Sequence, residues 1–337
     1  MPRVLKQGRH PDPLDPDEPR PDPRGWPRRQ ARAFAGREIE HFRDALSLRG
    51  AGSVRQSVLD DLSTFFHIDP DECARRCIEW EQWTLDEWHR QRRDTVDAIT
   101  AFYHETQSWA FDLLWYAYLQ AEGYAYPVSV AIAQTIPAAR AGARHLDFGS
   151  GVGVTSQLFA RLGYRTELAD ISTSLLRFAR FRLERRGDEA SYLDLNNDQP
   201  ASNSYDVITA IDTLVHVPDV PGTARALHRA LRPGGLLFAN FDVRPKSAEN
   251  AAFLYEDDLP LRWELQRAGF EPEEDLDGMI TRYRRVEPSG VAHALRGVRD
   301  ATLLRSPMRP AYRALRDQLR NLAARRKRVA AAVARPS

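Results

Sequence analysis

Cysteine and long apolar runs are the features that this sequence of 337 residues lacks most clearly. Cysteine occurs only as Cys73 and Cys77. Since no second Cys or His pair has zinc-ligand spacing, we expect buried or idle thiols and no metal site. No apolar run approaches the roughly 20 residues of a membrane span, and the N-terminus lacks the apolar core of a signal peptide. These absences predict a cytoplasmic protein without a membrane span.

Lysine is also scarce, because only three of the 48 basic residues are lysine. The formal net charge is +1, which excludes nucleic-acid binding through the charge of the whole molecule. Two helix start signals, at Ser53 and at Asp69-Pro70, could together form a helix-turn-helix. The helix after Asp69 mixes acids with its arginines, however, so DNA binding is not favoured.

Changes in composition divide the chain into four segments. Residues 1–30 are crowded with proline and mixed charge, which predicts a disordered arm. Residues 31–140 have helical periodicity and form a predicted cap, residues 141–286 alternate strand and helix patterns, and residues 287–337 form a helix-prone tail. From Arg309 onward the tail carries nine basic residues against Asp317 alone. It is therefore either a solvated helix or a site for an anionic substrate.

Aromatic side chains are concentrated between Trp80 and Tyr126. Their spacing predicts an amphipathic helical pair in which most of the rings pack against the rest of the protein.

The stretch around which the sequence is organised is Leu146-Asp-Phe-Gly-Ser-Gly-Val-Gly153. Its pattern predicts a short buried strand and a glycine turn, and the periodic run up to Leu162 predicts a helix. A second strand then ends at Asp170, 21 residues beyond Gly149. A carboxylate in that place can accept the hydroxyl groups of a ribose. The pattern is typical of a nucleoside-binding site.

The glycine spacing distinguishes between nucleosides. A dinucleotide site would have its third glycine at position 154, where this chain has Val154, so hydride transfer is not favoured. The stretch instead resembles the first motif of the class I S-adenosylmethionine-dependent methyltransferases, and the resemblance extends over residues 141–285. It implies an α/β fold with a doubly wound, mainly parallel, seven-stranded Rossmann-like sheet, here with an α-helical N-terminal cap. It also implies S-adenosylmethionine as the cofactor.

The resemblance further implies a set of cofactor contacts along the ends of the strands. On the methionine side these are Asp147, Gly149, Gly151 and Gly153. On the ribose and adenine side they are Asp170, Ile171, Asp194 and Leu195, with an ordinary turn role as the alternative for Asp194. Beside the methyl-transfer region they are Ile211 and Asp212.

Methyl transfer requires an aligned acceptor, exclusion of water and, for some acceptors, a base. The segment from Asp212 to His216 resembles an acid-x-x-x-His motif of many small-molecule methyltransferases. His216 is therefore a candidate base, with a structural role as the alternative. Helices before the first strand commonly form a lid in this family, so Tyr103, His104 and Trp109 are predicted to face the pocket. Tyr103 and His104 are further candidate catalytic residues.

Two features that the sequence lacks narrow the class of methyl acceptor. No Asn/Asp-Pro-Pro-Tyr segment follows the fourth strand, and both cysteines precede the cofactor domain. We therefore predict methylation of an O, N or C nucleophile of a small metabolite, for example in natural-product biosynthesis, and the basic tail would suit an anionic one. The alternatives are methylation of RNA or protein, and a non-catalytic scaffold or sensor that binds the cofactor. The sequence indicates no oligomeric state.

Overall fold

Short apolar strands alternate with helices after residue 140, and these strands form one seven-stranded sheet. The computed structural model describes residues 10–14, 26–90, 95–136, 138–244 and 253–287. The strands are β1 (Arg144–Phe148), β2 (Arg165–Asp170), β3 (Ala190–Asp194), β4 (Tyr205–Ala210), β5 (Leu231–Ala239), β6 (Phe270–Leu276) and β7 (Ile280–Arg285). Their order is β3-β2-β1-β4-β5-β7-β6. Strands β1 to β5 pair in parallel, and β7 is antiparallel to β5 and β6. The predicted doubly wound, mainly parallel sheet is confirmed.

Helices connect the parallel strands, because a parallel pair needs a long crossover. The helices of this part are α9 (Val154–Arg161), α10 (Thr173–Arg186), α11 (Val220–Ala230) and α12 (Leu259–Ala268). Strand β1 lies between β2 and β4, and the register sets Asp147 opposite Leu168 on one side and Thr209 on the other. The C-terminal ends of β1, β2 and β4 therefore meet at one edge of the sheet, where ligands bind in open parallel sheets.

The helices before the sheet form the predicted α-helical cap. They are α1 (Arg28–Ala31), α2 (Arg37–Leu46), α3 (Val54–Phe66), α4 (Pro70–Ile78), α5 (Trp80–Arg90), α6 (Val96–Glu105), α7 (Ser108–Ala121) and α8 (Val128–Ala133). The Ser53 hydroxyl accepts a bond from the Gln56 N–H, and the Asp69 carboxylate accepts from the Asp71 N–H, so both start signals act as N-caps.

The prediction of two helices between Trp80 and Tyr126 is wrong, because the described residues there form three helices, α5, α6 and α7. Thr95 starts a new helix by accepting a hydrogen bond from the Ala98 N–H, and α6 ends at the extended residue Thr106. Side-chain caps of this kind interrupt a periodic aromatic pattern that by itself shows no break.

Strand β5 also begins earlier than the turn Arg232-Pro-Gly-Gly235 suggests. Leu231 pairs with Tyr205 before the turn, and Leu236 pairs with Val207 after it. The turn is therefore a bulge within the strand, since pairing resumes on the same neighbour.

Part of the predicted N-terminal arm is described and contacts the cap. The His10 N–H donates to the Ile78 carbonyl at 2.9 Å, and Trp115 Nε1 donates to the Pro11 carbonyl at 3.2 Å. The rest of the arm before Trp26 and the basic tail from Arg309 onward lie outside the described residues. Within the described part of the chain, no helix is long and apolar enough to cross a membrane.

Gly153 provides a test of how closely α9 packs on the sheet. It caps α9 at φ 77°, and a Cβ atom there would lie 2.7 Å from Leu168 Cδ2. We expect Gly153→Ala to lower the free energy of unfolding by about 2–4 kcal/mol, because overpacking adds to the left-handed backbone strain. Urea unfolding measures the difference.

Gly187→Ala is the matched control for this variant. Gly187 has a similar φ of 69° but no atom within 4 Å of its Cβ position. Its replacement should therefore show the backbone strain alone, about 1 kcal/mol. Equal losses in the two variants would contradict close packing at Gly153.

Candidate cofactor and active site

The glycine loop, Gly149 to Gly153, follows β1 and is hydrogen-bonded directly to the end of β2. The Gly149 N–H donates to the Ala169 carbonyl at 2.7 Å, and the Gly151 N–H donates to Asp170 Oδ2 at 2.8 Å. The predicted loop and the predicted ribose-binding acid, which are 19 residues apart at Gly151, are thus in contact. The contact sets the acid beside the loop at the C-terminal edge of the sheet.

Asp170 is 8% exposed and is held on both sides. Its Oδ1 atom accepts the Ser172 N–H at 2.8 Å, so the carboxylate bridges the glycine loop and the start of α10. Burial raises the pKa of Asp170, and the backbone N–H groups of Ser172 and Gly151 oppose that shift. Each carboxylate oxygen retains a further lone pair, so Asp170 can also accept a hydroxyl group.

Asp147 points into the interior beneath the loop. It is 3% exposed, its Oδ1 accepts from the Thr209 hydroxyl at 2.8 Å, and its Oδ2 accepts from the Ser156 hydroxyl at 3.0 Å. The Thr209 oxygen also bonds His145 Nε2 at 2.8 Å. Thr209 and Ser156 are not part of any motif in the sequence. Their pairing with Asp147 depends on the strand register and on the rotation of α9, which the sequence does not display.

The predicted adenine-side residues gather around one turn after β3. Asp194 accepts hydrogen bonds from the Asn196 N–H at 3.0 Å and from Asn197 Nδ2 at 2.8 Å. Desolvation opposes ionisation there, but the bonds from Asn196 and Asn197 lower the pKa of Asp194. Asn196 Nδ2 also donates to the Ile171 carbonyl, and the Leu195 N–H donates to the Asp170 carbonyl. These contacts agree with the turn role considered for Asp194.

His104 of the predicted lid lies beside the start of α10, on the side of the site that is predicted to bind the ribose. Its Nδ1 atom is 3.4 Å from the Thr173 hydroxyl at the start of α10. Its positive charge, when protonated, lowers the pKa of both Asp170 and Asp194. The neighbouring Tyr103 is on the same helix, and its side chain lies outside the described atoms.

The end of β4, which is predicted to lie beside the methyl-transfer region, contains a clamp of Asp212 and Asn240 that was not predicted from the sequence. The Asp212 N–H donates to Asn240 Oδ1 at 2.6 Å, and Asn240 Nδ2 donates to the Asp212 carboxylate. This pair of bonds holds Asp212 at φ 51°, a strained value for a residue with a side chain. Asp212 is open to solvent on one side, while the surrounding protein partly desolvates its carboxylate and raises its pKa. The feature of the sequence that could have indicated this clamp is Asn240, a polar residue directly after β5.

Ile211 and His216 flank this clamp along the chain. The Thr213 hydroxyl bonds the carbonyl groups of Ile211 and Phe148, which joins the ends of β4 and β1. His216 lies in a 3₁₀ turn, Leu214–His216, with its ring 4.8 Å from that of Phe253.

Helix α7 of the cap covers the glycine loop. Leu113 is 38% exposed, and its Cδ1 atom is 2.8 Å from where a Cβ atom of Gly151 would lie. Trp109 of the same helix packs instead against the cap core, with its ring perpendicular to Phe102. A side chain at position 151 would therefore collide with the cap.

Comparison with known proteins agrees with this geometry. Residues 121–274 match the family model of a methyltransferase domain. Residues 121–274 therefore form a methyltransferase domain, and its strands have the sheet order described above. The predicted family and cofactor are thereby confirmed, while the roles of the individual site residues stay predictions.

This chain matches two curated relatives over part of its length. It is 39% identical over 103 residues to the ubiquinone biosynthesis O-methyltransferase of Xanthomonas euvesicatoria pv. vesicatoria, which is 29% of this chain and 42% of that protein. It is 36% identical over 110 residues to the protein of the same name from Aeromonas salmonicida, 32% of this chain and 46% of that protein. The chain spans less than half the length of these relatives.

A solved structure is also similar to this chain. It is that of Haemonchus contortus phosphoethanolamine N-methyltransferase 2 in complex with S-adenosyl-L-methionine. The TM-score is 0.39 at 20% identity, over 60% of this chain and 50% of that chain.

The buried carboxylate of Asp147 should leave a pH signature in stability. Burial raises its pKa from 3.8 to about 6. Because the folded protein binds this proton more tightly than the unfolded chain, the stabilisation is present below about pH 4 and is lost as the pH rises through about 6. Relative to Asp147→Asn, the wild type should therefore lose about 1 kcal/mol of unfolding free energy between about pH 5 and pH 7.5.

Urea unfolding of both proteins at the two pH values measures this loss. His145, whose pKa burial lowers to about 3, is present in both proteins and cancels from the difference. A stability difference that stays constant or changes in the opposite direction would contradict the buried state of Asp147.

Proposed function

We propose that this methyltransferase transfers a methyl group from S-adenosylmethionine to a nucleophile of a small molecule, with oxygen as the first acceptor atom to test. The observation that carries the proposal is the bond from the Gly151 N–H to Asp170, which joins a glycine loop and a buried acid at the ligand-binding edge of the sheet. The names of the curated relatives support oxygen as the acceptor. Its cytoplasmic location stays a prediction from the sequence.

The residues present fit the cofactor. Gly151 has no side chain, which lets Leu113 of the cap approach the loop closely, and Asp170 retains acceptor capacity toward the ribose hydroxyl groups. Ile171 and Leu195 are partly buried beside Asp170 and are proposed to contact the adenine. S-adenosylmethionine supplies an already activated methyl group when bound, so the protein has to orient the acceptor and exclude water.

His104 is proposed to act with the cofactor rather than with the acceptor. It lies beside Thr173, on the side of the site where Asp170 and Asp194 are. A hydrogen bond from the cap to the start of α10 would close the ribose side of the site and exclude water from it.

The acceptor is proposed to bind beside the clamp of Asp212 and Asn240. The clamp holds Asp212 at the end of β4 with its side chain exposed, and strained residues of this kind concentrate at functional sites. Asp212 can accept a hydrogen bond from the acceptor and so orient it. His216 follows on the same loop and is proposed to remove the proton of a hydroxyl acceptor.

Calorimetric titration with S-adenosylhomocysteine and NAD tests cofactor choice. We expect binding of the adenosyl compound and none of NAD, and at about 100 times its dissociation constant the adenosyl compound should stabilise the fold by about 2.7 kcal/mol. Asp170→Ala should weaken binding at least ~30-fold, because it removes both the ribose acceptor and the acceptor of the Gly151 N–H.

Asp198→Asn is the control, since Asp198 is exposed in the loop that follows β3. The Asp198→Asn variant should bind S-adenosylhomocysteine with the affinity of the wild type. Failure of the wild type to bind S-adenosylhomocysteine would refute the proposed function.

A pH–rate profile tests the base. If His216 removes a proton, His216→Asn lowers kcat by about 100-fold or more and abolishes the acidic limb of the profile, while the Kd of S-adenosylhomocysteine stays unchanged. Phe253→Leu, which removes only the ring packed on His216, should keep the limb. An unchanged acidic limb in His216→Asn would assign that residue a structural role.

A further inference from the structure

A fully buried arginine, Arg182 of α10, contacts the glycine loop from below. Its side chain is 0% exposed. Nη1 donates to the Val152 carbonyl at 2.6 Å, Nη2 donates to Gln157 Oε1 at 2.8 Å, and Nε donates to Asp61 Oδ2 at 3.3 Å. Because a guanidinium is planar with its donors in a rigid fork, these three acceptors are held in one fixed arrangement.

The three acceptors belong to different parts of the molecule. Val152 lies within the glycine loop, between Gly151 and Gly153. Gln157 is on α9, the helix that follows the loop, and Asp61 is on α3 of the cap. One side chain therefore connects the cap, the loop and the helix behind the loop.

Asp61 is shared among three arginines. It is completely buried and also accepts hydrogen bonds from Arg185 Nη1 at 2.8 Å and from Arg186 Nη1 at 3.2 Å. Burial and the neighbouring charge of Arg186 lower the pKa of Arg182 to about 10, which leaves it charged at neutral pH. A single carboxylate cannot neutralise three guanidinium groups, so the Val152 carbonyl and the Gln157 amide supply the further acceptors that a buried charge requires.

The bond to Val152 acts on the part of the loop that meets the acid of β2. Holding the Val152 carbonyl fixes the peptide that leads into Gly153, whose N–H donates back to the Ser150 carbonyl at 2.9 Å. The preceding residue, Gly151, directs its N–H at Asp170. Rotation of the loop about Val152 would break both contacts.

We propose that Arg182, held by Asp61 of the cap, is a positioning residue for cofactor binding that keeps the glycine loop in its binding shape. The inference rests on the proposed function of that loop. If Arg182 has this role, cofactor affinity depends on the docking of α3, a helix that contributes none of the predicted cofactor contacts.

Two arginine variants on the same helix separate positioning from general stability. Arg182→Met removes the bond to the loop while Asp61 keeps Arg185 and Arg186 as partners. Arg185→Met is the matched control, because Arg185 shares Asp61 but otherwise contacts Asp60 and the Phe181 ring. Each variant is titrated with S-adenosylhomocysteine in a calorimeter, well below its unfolding temperature, and its KM and kcat for S-adenosylmethionine are measured with an acceptor that the wild type methylates.

We expect Arg182→Met to raise the Kd about tenfold, equivalent to ~1.4 kcal/mol. It should also raise the KM for S-adenosylmethionine, with kcat and the binding stoichiometry retained. Arg185→Met should keep the wild-type Kd. Should Arg182→Met fail to fold, Arg182→Lys carries the same test, since an ammonium keeps the buried charge but cannot span three acceptors.

A purely structural role gives a different result. A lower unfolding temperature or stoichiometry in Arg182→Met with an unchanged Kd would overturn the proposal, and so would an equal rise of Kd in both variants. A wild-type protein that fails to bind S-adenosylhomocysteine would refute the proposed function, and this inference with it. Wild-type binding with unaffected variants would refute the inference alone.

Discussion

The hydrogen bond from the Gly151 N–H to Asp170 is the contact on which the geometry of the site depends. It requires that β1 and β2 are adjacent and parallel, since only then do their C-terminal ends meet. It also requires a backbone without side chains at the loop, because Leu113 covers Gly151 and Leu168 packs against Gly153. This one bond of 2.8 Å thus depends on the sheet order, on the strand register and on the docking of the cap.

Buried polar groups support this contact from beneath. Asp147 binds hydroxyl groups of β4 and α9, and Arg182 binds the loop carbonyl and α9. Isolated charges in such places would be strongly destabilising, so each needs acceptors or donors from several elements. The same requirement makes these groups directional, because the partners have to arrive at fixed positions. The buried polar groups therefore fix the conformation of the glycine loop in addition to packing against it.

The cap is connected to the cofactor domain through polar contacts at several points. Asp61 meets α10, His104 meets Thr173, and Ser129 meets Thr155 of α9 at 2.8 Å. Each of these contacts reaches the loop or a helix that begins at the edge where the cofactor is proposed to bind. A cap connected in this way can exclude water from the site and can also influence the shape of the loop.

The linear sequence determined the strand and helix pattern of the cofactor domain, the glycine loop and the acid of β2, because hydrophobic periodicity and the spacing from Gly149 to Asp170 are local properties. It also determined the helix starts at Ser53 and Asp69, whose caps involve residues only two or three positions away. Only the tertiary structure decided the Asp212–Asn240 clamp, the burial of Asp147 and the contacts of Arg182. These pairs span up to 121 residues, and they depend on strand register and helix rotation, which no local pattern encodes.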